Sequence, residues 1–132
     1  IMSWLTGYSH RKKITVQTAN LDAAQTAFQL LVKFAADTDI GAACLDSGYD
    51  VRFTAADGAT ELPFDRRSFA VAAGEATGIF IVLTSLATSP ATEIYVYWGN
   101  AAATDASAPA TVWAGYKGVY PLDEAYSTGA GN

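Results

Sequence analysis

Short strand-length runs, each closed by a turn signal, limit what this chain can fold into more than any other feature. The clearest run is Thr92–Asn100, Thr-Glu-Ile-Tyr-Val-Tyr-Trp-Gly-Asn. Successive side chains of a strand point to opposite faces, so Ile94, Val96 and Trp98 share one face and Tyr95 and Tyr97 the other. Arg11 to Gln17 alternates in the same way, with Ile14 and Val16 opposed to Lys13, Thr15 and Gln17. Phe28, Leu30, Val32 and Phe34 fall in phase, as expected of a strand lying against a core. Asp50–Thr54 and Thr60–Phe64 flank Asp57-Gly58, a strong hairpin signal because glycine tolerates positive φ. Pro63 has no N–H to donate, so its strand is expected to be an edge or bulged there. Ser68–Ala72 and Gly78–Ser85 surround a turn at Gly74-Glu75, and Thr111–Leu122 returns to apolar, aromatic sequence. Only Asp37–Leu45 reads as helical, a single turn capped by Asp37 or Thr38. Seven or eight strands, one short helical turn and no alternation of strands with helices predict an all-β sandwich of jelly-roll type.

Composition narrows the class. With 132 residues, 51% of them apolar and 16% charged, the chain has the size and apolar content to bury a core of its own, without staples. No apolar run is longer than Ile79–Leu83, which is strand-sized, so no membrane span is expected. A net charge of −5 argues against nucleic acid as a partner, which needs a clustered basic surface. The two basic clusters, Arg11-Lys12-Lys13 and Arg66-Arg67, read as solvated strand edges, where such residues discourage edge-to-edge pairing. Cys44 is the lone cysteine, which excludes an intramolecular disulfide and a cysteine-built zinc site; its apolar neighbours suggest a small buried hydrophobe.

Little in the chain points to catalysis. His10 is the single histidine, set beside Arg11-Lys12-Lys13, and the chain has no Gly-x-Ser-x-Gly elbow, so neither a Ser-His-Asp triad nor a histidine metal site is expected. Asp50, Asp57, Glu61 and Glu93 supply carboxylates, but no spacing pairs them for glycoside hydrolysis. Asp37-x-Asp39 and Asp46…Asp50 are spaced like calcium-loop ligands, yet the full pattern is missing. Calcium is therefore the one cation the sequence admits, and no cofactor is expected. The chain is read as not an enzyme.

Aromatic rings remain. Three Trp, seven Tyr and six Phe include Tyr95 and Tyr97, whose i, i+2 spacing gives a flat pair suited to stacking on sugar rings. Trp4, Tyr8, Tyr116 and Tyr120 lie nearer the termini. Trp98 and Phe80 are expected in the core.

On these residues the chain resembles a domain family of unknown function found in bacterial and archaeal surface proteins and phage tail proteins, often just before a concanavalin A-like lectin/glucanase (laminin-G-like) domain. The stretches that carry the resemblance are Trp4…Gly7-Tyr8-x-x-Arg11-Lys12-Lys13-Ile14-Thr15-Val16, Leu31-Val32-Lys33, Asp50-Val51-Arg52-Phe53-Thr54 and Asp57-Gly58…Leu62-Pro63-Phe64. They continue with Ile94-Tyr95-Val96-Tyr97-Trp98-Gly99-Asn100 and Val112-Trp113…Tyr116-x-Gly118-Val119-Tyr120-x-Leu122-Asp123-Glu124. Pro121 departs from the pattern, since family members tend to have His there. The resemblance implies a β-sandwich accessory module over residues 1–118, with 119–132 a linker or the first strand of a following lectin-like domain. It implies no catalytic residues. Asp50-x-Arg52 places two charges on one strand face, expected as a structural ion pair before a ligand site.

The leading expectation is a non-catalytic recognition or adhesion module for a cell-surface or environmental polysaccharide, with Tyr95, Tyr97 and Arg52 as contact residues. The rival is a structural component of a phage tail, tail fibre or surface filament, whose partners are other subunits. Met2-Ser3-Trp4 reads as a natural start without a signal peptide, which favours the extracellular surface by another route, or a virion.

Overall fold

Two three-stranded antiparallel sheets face each other across one apolar core. The computed structural model describes residues 3–16 and 22–114. The strands are β1 (His10–Thr15), β2 (Gln25–Asp37), β3 (Arg52–Ala55), β4 (Phe64–Ala72), β5 (Glu75–Leu86) and β6 (Glu93–Trp98). They assemble in the orders β1-β6-β3 and β2-β5-β4, so the chain crosses between sheets at nearly every connection. The exception is the β4–β5 hairpin, where Ala72 pairs with Glu75 around Ala73 and Gly74. Both of those residues have positive φ, the geometry of a two-residue turn whose twist matches its strands.

The domain is thus an all-β sandwich, with six strands among the described residues instead of the seven or eight expected. Two segments account for the difference. Thr60–Phe64 does not form a strand of its own: it makes one bridge, Thr54 to Glu61, before Phe64 opens β4. Pro63, lacking a donor, contributes only its carbonyl, which accepts from the Leu83 N–H at 2.9 Å. The second is Thr111, which falls in a helical turn, α2 (Pro109–Val112), with proline in its first turn, where a missing N–H costs nothing. Tyr116, Val119, Tyr120, Pro121 and the expected boundary at 118/119 lie outside the described residues.

The expected helical turn is α1 (Thr38–Gly41), and Asp37 caps it by accepting from the Ile40 N–H at 2.9 Å. Ile40 then drops into the core. Lys12 reaches across from β1 to Asp37 and Asp39, 3.2 Å from each, and ties the two sheets together at this edge. Burial alone would raise the Asp37 pKa, but the Ile40 N–H and the Lys12 ammonium outweigh it and hold the carboxyl below its ordinary value. Burial likewise opposes the charged form of Lys12, and the two carboxylates more than reverse that effect, raising its pKa. These acids, named above as calcium-type ligands, are therefore already occupied. Among the described residues no group of three or more His, Cys, Asp or Glu side chains is placed to hold a metal ion.

Phe80 on β5 is the hub of the core. Its ring meets Phe34, Phe53, Phe64 and Phe69 at centroid separations of 5.3–6.0 Å, mostly edge to face. Val32, Val51, Val82, Ile94, Val96 and Trp98 complete the layer. Each such side chain contributes roughly 1.5–3 kcal/mol by leaving water, and each ring pair about 0.5–1.5 kcal/mol beyond that. Cys44 packs against this layer half-buried, and burial, with Asp50 and Asp46 adding to it, pushes its thiol up to about 11. No helix among the described residues is long and apolar enough to cross a membrane.

Candidate functional site

The outer face of the β1-β6-β3 sheet is where the sequence expectation and the structure part company. Strand register sets Arg11, Tyr97 and Arg52 in one row across this face, and Lys13, Tyr95 and Thr54 in the next. Alternation places both tyrosines on the face turned away from the core, as expected. That face is not open. Tyr97 has no exposed surface, and Tyr95 is buried as well.

What covers them is the segment leading into β1. Trp4 and Tyr8 stand edge-on against the Tyr97 ring, at 5.6 and 5.8 Å. Arg11 slides between rings, with its guanidinium carbon 4.2 Å from the Trp4 centroid and 4.5 Å from that of Tyr95. The segment holds its own shape through the Trp4 indole N–H, which donates to the Tyr8 carbonyl at 2.7 Å. It is fastened to the Asp57-Gly58 turn by the Ser3 N–H on the Asp57 carbonyl at 3.2 Å, and to β1 by Arg11 Nη1 on the Ser3 carbonyl at 2.7 Å. The Tyr97 hydroxyl donates to the Gly58 carbonyl at 2.6 Å and accepts from Arg11 Nη1 at 3.0 Å. Gly58 has φ +77°, and any Cβ there would collide with the Ser3 carbonyl, so glycine is required both by conformation and by the covering segment. Tyr95 and Tyr97 therefore offer no flat pair for a sugar ring, and this placement corrects the stacking role expected of them. Their aromatic faces are spent on Arg11, Trp4 and Tyr8.

The third expected residue, Arg52, lies one strand over, where the cover ends. It lines an open groove of about 470 Å³ together with Leu5, Thr6, Tyr8, Glu61, Asn100 and the 102–104 loop. Arg52 itself is only 9% exposed. Its Nη1 donates to the carbonyls of Tyr49 and Val51, and its Nη2 to that of Thr104 at 2.6 Å. Three carbonyls thus fix the guanidinium in place. Its Nε is turned to Glu61, whose Oε1 lies 3.9 Å away, too far for a hydrogen bond. The expected Asp50–Arg52 ion pair is not formed. Asp50, fully buried, takes the N–H groups of Leu45, Gly99 and Asn100 at 2.9–3.2 Å, and so fixes the end of β6 and the loop that forms one wall of the groove.

Tyr8 joins the sealed and open regions: its ring packs on Tyr97 while its hydroxyl reaches the Asn100 side chain at the groove. Burial raises the Tyr8 pKa, with Asp50 and Glu61 adding to the effect and Arg52 and Asn100 opposing it, so the phenol stays protonated. The groove thereby presents a fixed cation, a carboxylate on a 60% exposed side chain, a phenol and an amide. Such a set can donate to and accept from hydroxyl-rich groups; it contains no nucleophile paired with a base. His10 stacks on Trp98 at 5.6 Å and contacts Ser9 Oγ at 2.7 Å, outside this groove.

Sequence reasoning missed Tyr8, Glu61 and Asn100 as members of this site. The signal for Glu61 was present in the Asp57-Gly58 turn, since closing that hairpin brings the residues after it back along β3. No sequence signal marked Asn100, whose place depends on the buried carboxylate of Asp50.

A family model described as "Domain of unknown function (DUF2341)" matches residues 47–128, more than half of the chain. The segment that covers Tyr97 lies outside the matched residues, whereas Arg52, Glu61 and Asn100 lie within them. Comparisons with curated proteins and with solved structures returned no match.

Proposed function

The chain belongs to the DUF2341 family, a domain of unknown function, and from that premise we propose that it is a non-catalytic β-sandwich recognition module for a polysaccharide. The observation that carries this reading is the polar groove around Arg52, with its immobilised guanidinium and ring of hydroxyl, amide and carboxylate groups. Saccharides are read by such convergent polar groups beside an aromatic ring, and Tyr8 supplies the ring. The setting we propose is an extracellular surface or a virion, with a lectin-like domain as C-terminal neighbour.

A groove-filling variant tests the reading. Ala102 is exposed and lines the groove, so Ala102→Trp blocks it without touching the core. On an array of plant, algal and bacterial polysaccharides the wild-type chain is expected to bind and the variant to lose binding, with an unchanged melting temperature. Equal binding by both would remove the groove from the account.

A second reading, a structural subunit of a virion or surface filament, rests on a different observation. Ile14, Val16, Leu30, Val32 and Phe34 line an apolar trough of about 410 Å³ between β1 and β2, the outer strands of their sheets. Leu31 beside it is 61% exposed. Light scattering after size-exclusion chromatography decides between the two. A mass near 13.9 kDa at all concentrations favours the recognition module, and a closed oligomer or open polymer favours the assembly subunit.

A further inference from the structure

Resting on the recognition reading, we infer that the gap between Arg52 and Glu61 is a seat for one sugar hydroxyl, and that the groove therefore selects neutral saccharides over uronic and sialic acids. The 3.9 Å between Nε and Oε1 is the starting point. Two polar atoms at that separation do not bond each other, yet one oxygen can lie about 2.8 Å from both. The bridging atom must accept from the Arg52 N–H and donate to the Glu61 carboxylate. A hydroxyl does both at once; a carboxylate can only accept, and an ammonium can only donate.

One side of the gap is rigid, and the other is an exposed side chain on a held backbone. Arg52 is held by the carbonyls of Tyr49, Val51 and Thr104 and cannot swing toward Glu61 without breaking them. Glu61 is fixed at its backbone by the bridge to Thr54 on β3. The Nε edge of the guanidinium is thus left for an incoming group, already oriented, and little ordering of Arg52 is needed on binding.

Charge argues the same way. The Arg52 cation is answered by three carbonyl dipoles and by Glu61, in a chain of net charge −5. A uronate or sialate would bring a second carboxylate against Glu61, where like charges repel and neither oxygen can donate. A neutral saccharide meets no such repulsion. Its neighbouring hydroxyls find the Tyr8 phenol and the Asn100 amide on the same wall.

The test is a titration of the full chain followed by NMR, reading the Arg52 Nε–Hε signal and the backbone amides of Tyr8 and Asn100. The probes are glucose, galactose and mannose with their short oligomers, against glucuronate, oligogalacturonate and N-acetylneuraminate at neutral pH. At least one neutral probe is expected to shift all three signals, and its acidic counterpart to bind about tenfold more weakly. Glu61→Gln keeps an acceptor in place but removes the charge, so it is expected to bring the two classes within about twofold of each other. Acidic probes that bind the wild-type chain as tightly as neutral ones, or a Glu61→Gln variant with the same preference, would overturn the inference. Shifts that map away from Arg52 and Tyr8 would overturn it too, while leaving a recognition module standing. Silence toward every probe would sink both.

Discussion

Tyr97 and Arg52 are cross-strand neighbours on the same face of the same sheet, and their surroundings differ completely. Over Tyr97 lies a covering segment that leaves no ring surface to solvent, while Arg11 and the Gly58 carbonyl satisfy both roles of the hydroxyl. Over Arg52 the cover stops, three carbonyls hold one side of the guanidinium, and the other side looks at Glu61 across a gap. The difference teaches that strand alternation assigns a residue to a face but does not say whether that face is wet. An aromatic pair on an outer face becomes structural once a preceding segment folds over it. A buried charge next to the end of that segment becomes the accessible feature, because its Nε–H donor is not satisfied from within.

Removing the sealed ring is the most severe way to probe this contrast. Tyr97→Ala empties a fully buried site between Trp4, Tyr8 and Arg11, and is expected to cost about 3–5 kcal/mol, seen as a melting-temperature fall of roughly 10 °C or more. A loss under about 0.5 kcal/mol would show that the ring is not core. Next comes Gly58→Ala, which demands positive φ of a residue with a side chain and displaces the Ser3 carbonyl. It is expected to cost about 1–3 kcal/mol in urea unfolding and to make the first residues easier to cleave with protease. Tyr97→Phe keeps the ring and orphans the Gly58 carbonyl, for an expected loss of about 1–1.5 kcal/mol.

The charged ties give a smaller, pH-dependent effect. Asp37 and Asp105 titrate below their ordinary values, Asp105 chiefly through Arg66, and Asp57 is held at about 2 by the Thr60 hydroxyl and the Thr60 and Ala59 N–H groups. Their contribution is complete above about pH 4 and is lost as the pH falls through the folded values. Lys12 and Tyr8 titrate above their ordinary values, so their contribution is complete below about pH 10 and is lost as the pH rises through the folded ones. Melting temperature against pH should therefore show a plateau between these limits and fall on both sides. A maximum inside the plateau would point to other groups. Least of all, Glu61→Gln on the open side should change stability by under about 0.5 kcal/mol, which separates it from every variant of the sealed side.

Much of the fold was legible because it depends on local pattern. The alternation of residues 92–98, the turn at Gly74 and the Asp37 cap all act over a few residues, and the structure uses each of them. Thr60–Phe64 misled because its pattern is strand-like while Pro63 cannot join a ladder. The site was harder to read. That Arg52 is special was visible, but its supposed partner Asp50 turns instead to backbone N–H groups at the far end of β6. The burial of Tyr95 and Tyr97 depends on Trp4 and Arg11, far away in sequence, and no short-range pattern encodes that contact. Glu61 needed the hairpin register, which the Asp57-Gly58 signal suggests but does not fix.

The most direct test of a sealed tyrosine face beside an open arginine groove needs no ligand. A soluble paramagnetic probe broadens NMR signals according to their distance from solvent. The side-chain signals of Glu61, Thr6 and Ala102 should broaden strongly, while the ring signals of Tyr95 and Tyr97 stay as sharp as those of Phe80. Tyrosine signals that broaden as fully as those of exposed Leu31 would mean that the covering segment does not seal the face, and the stacking platform would return as the candidate site.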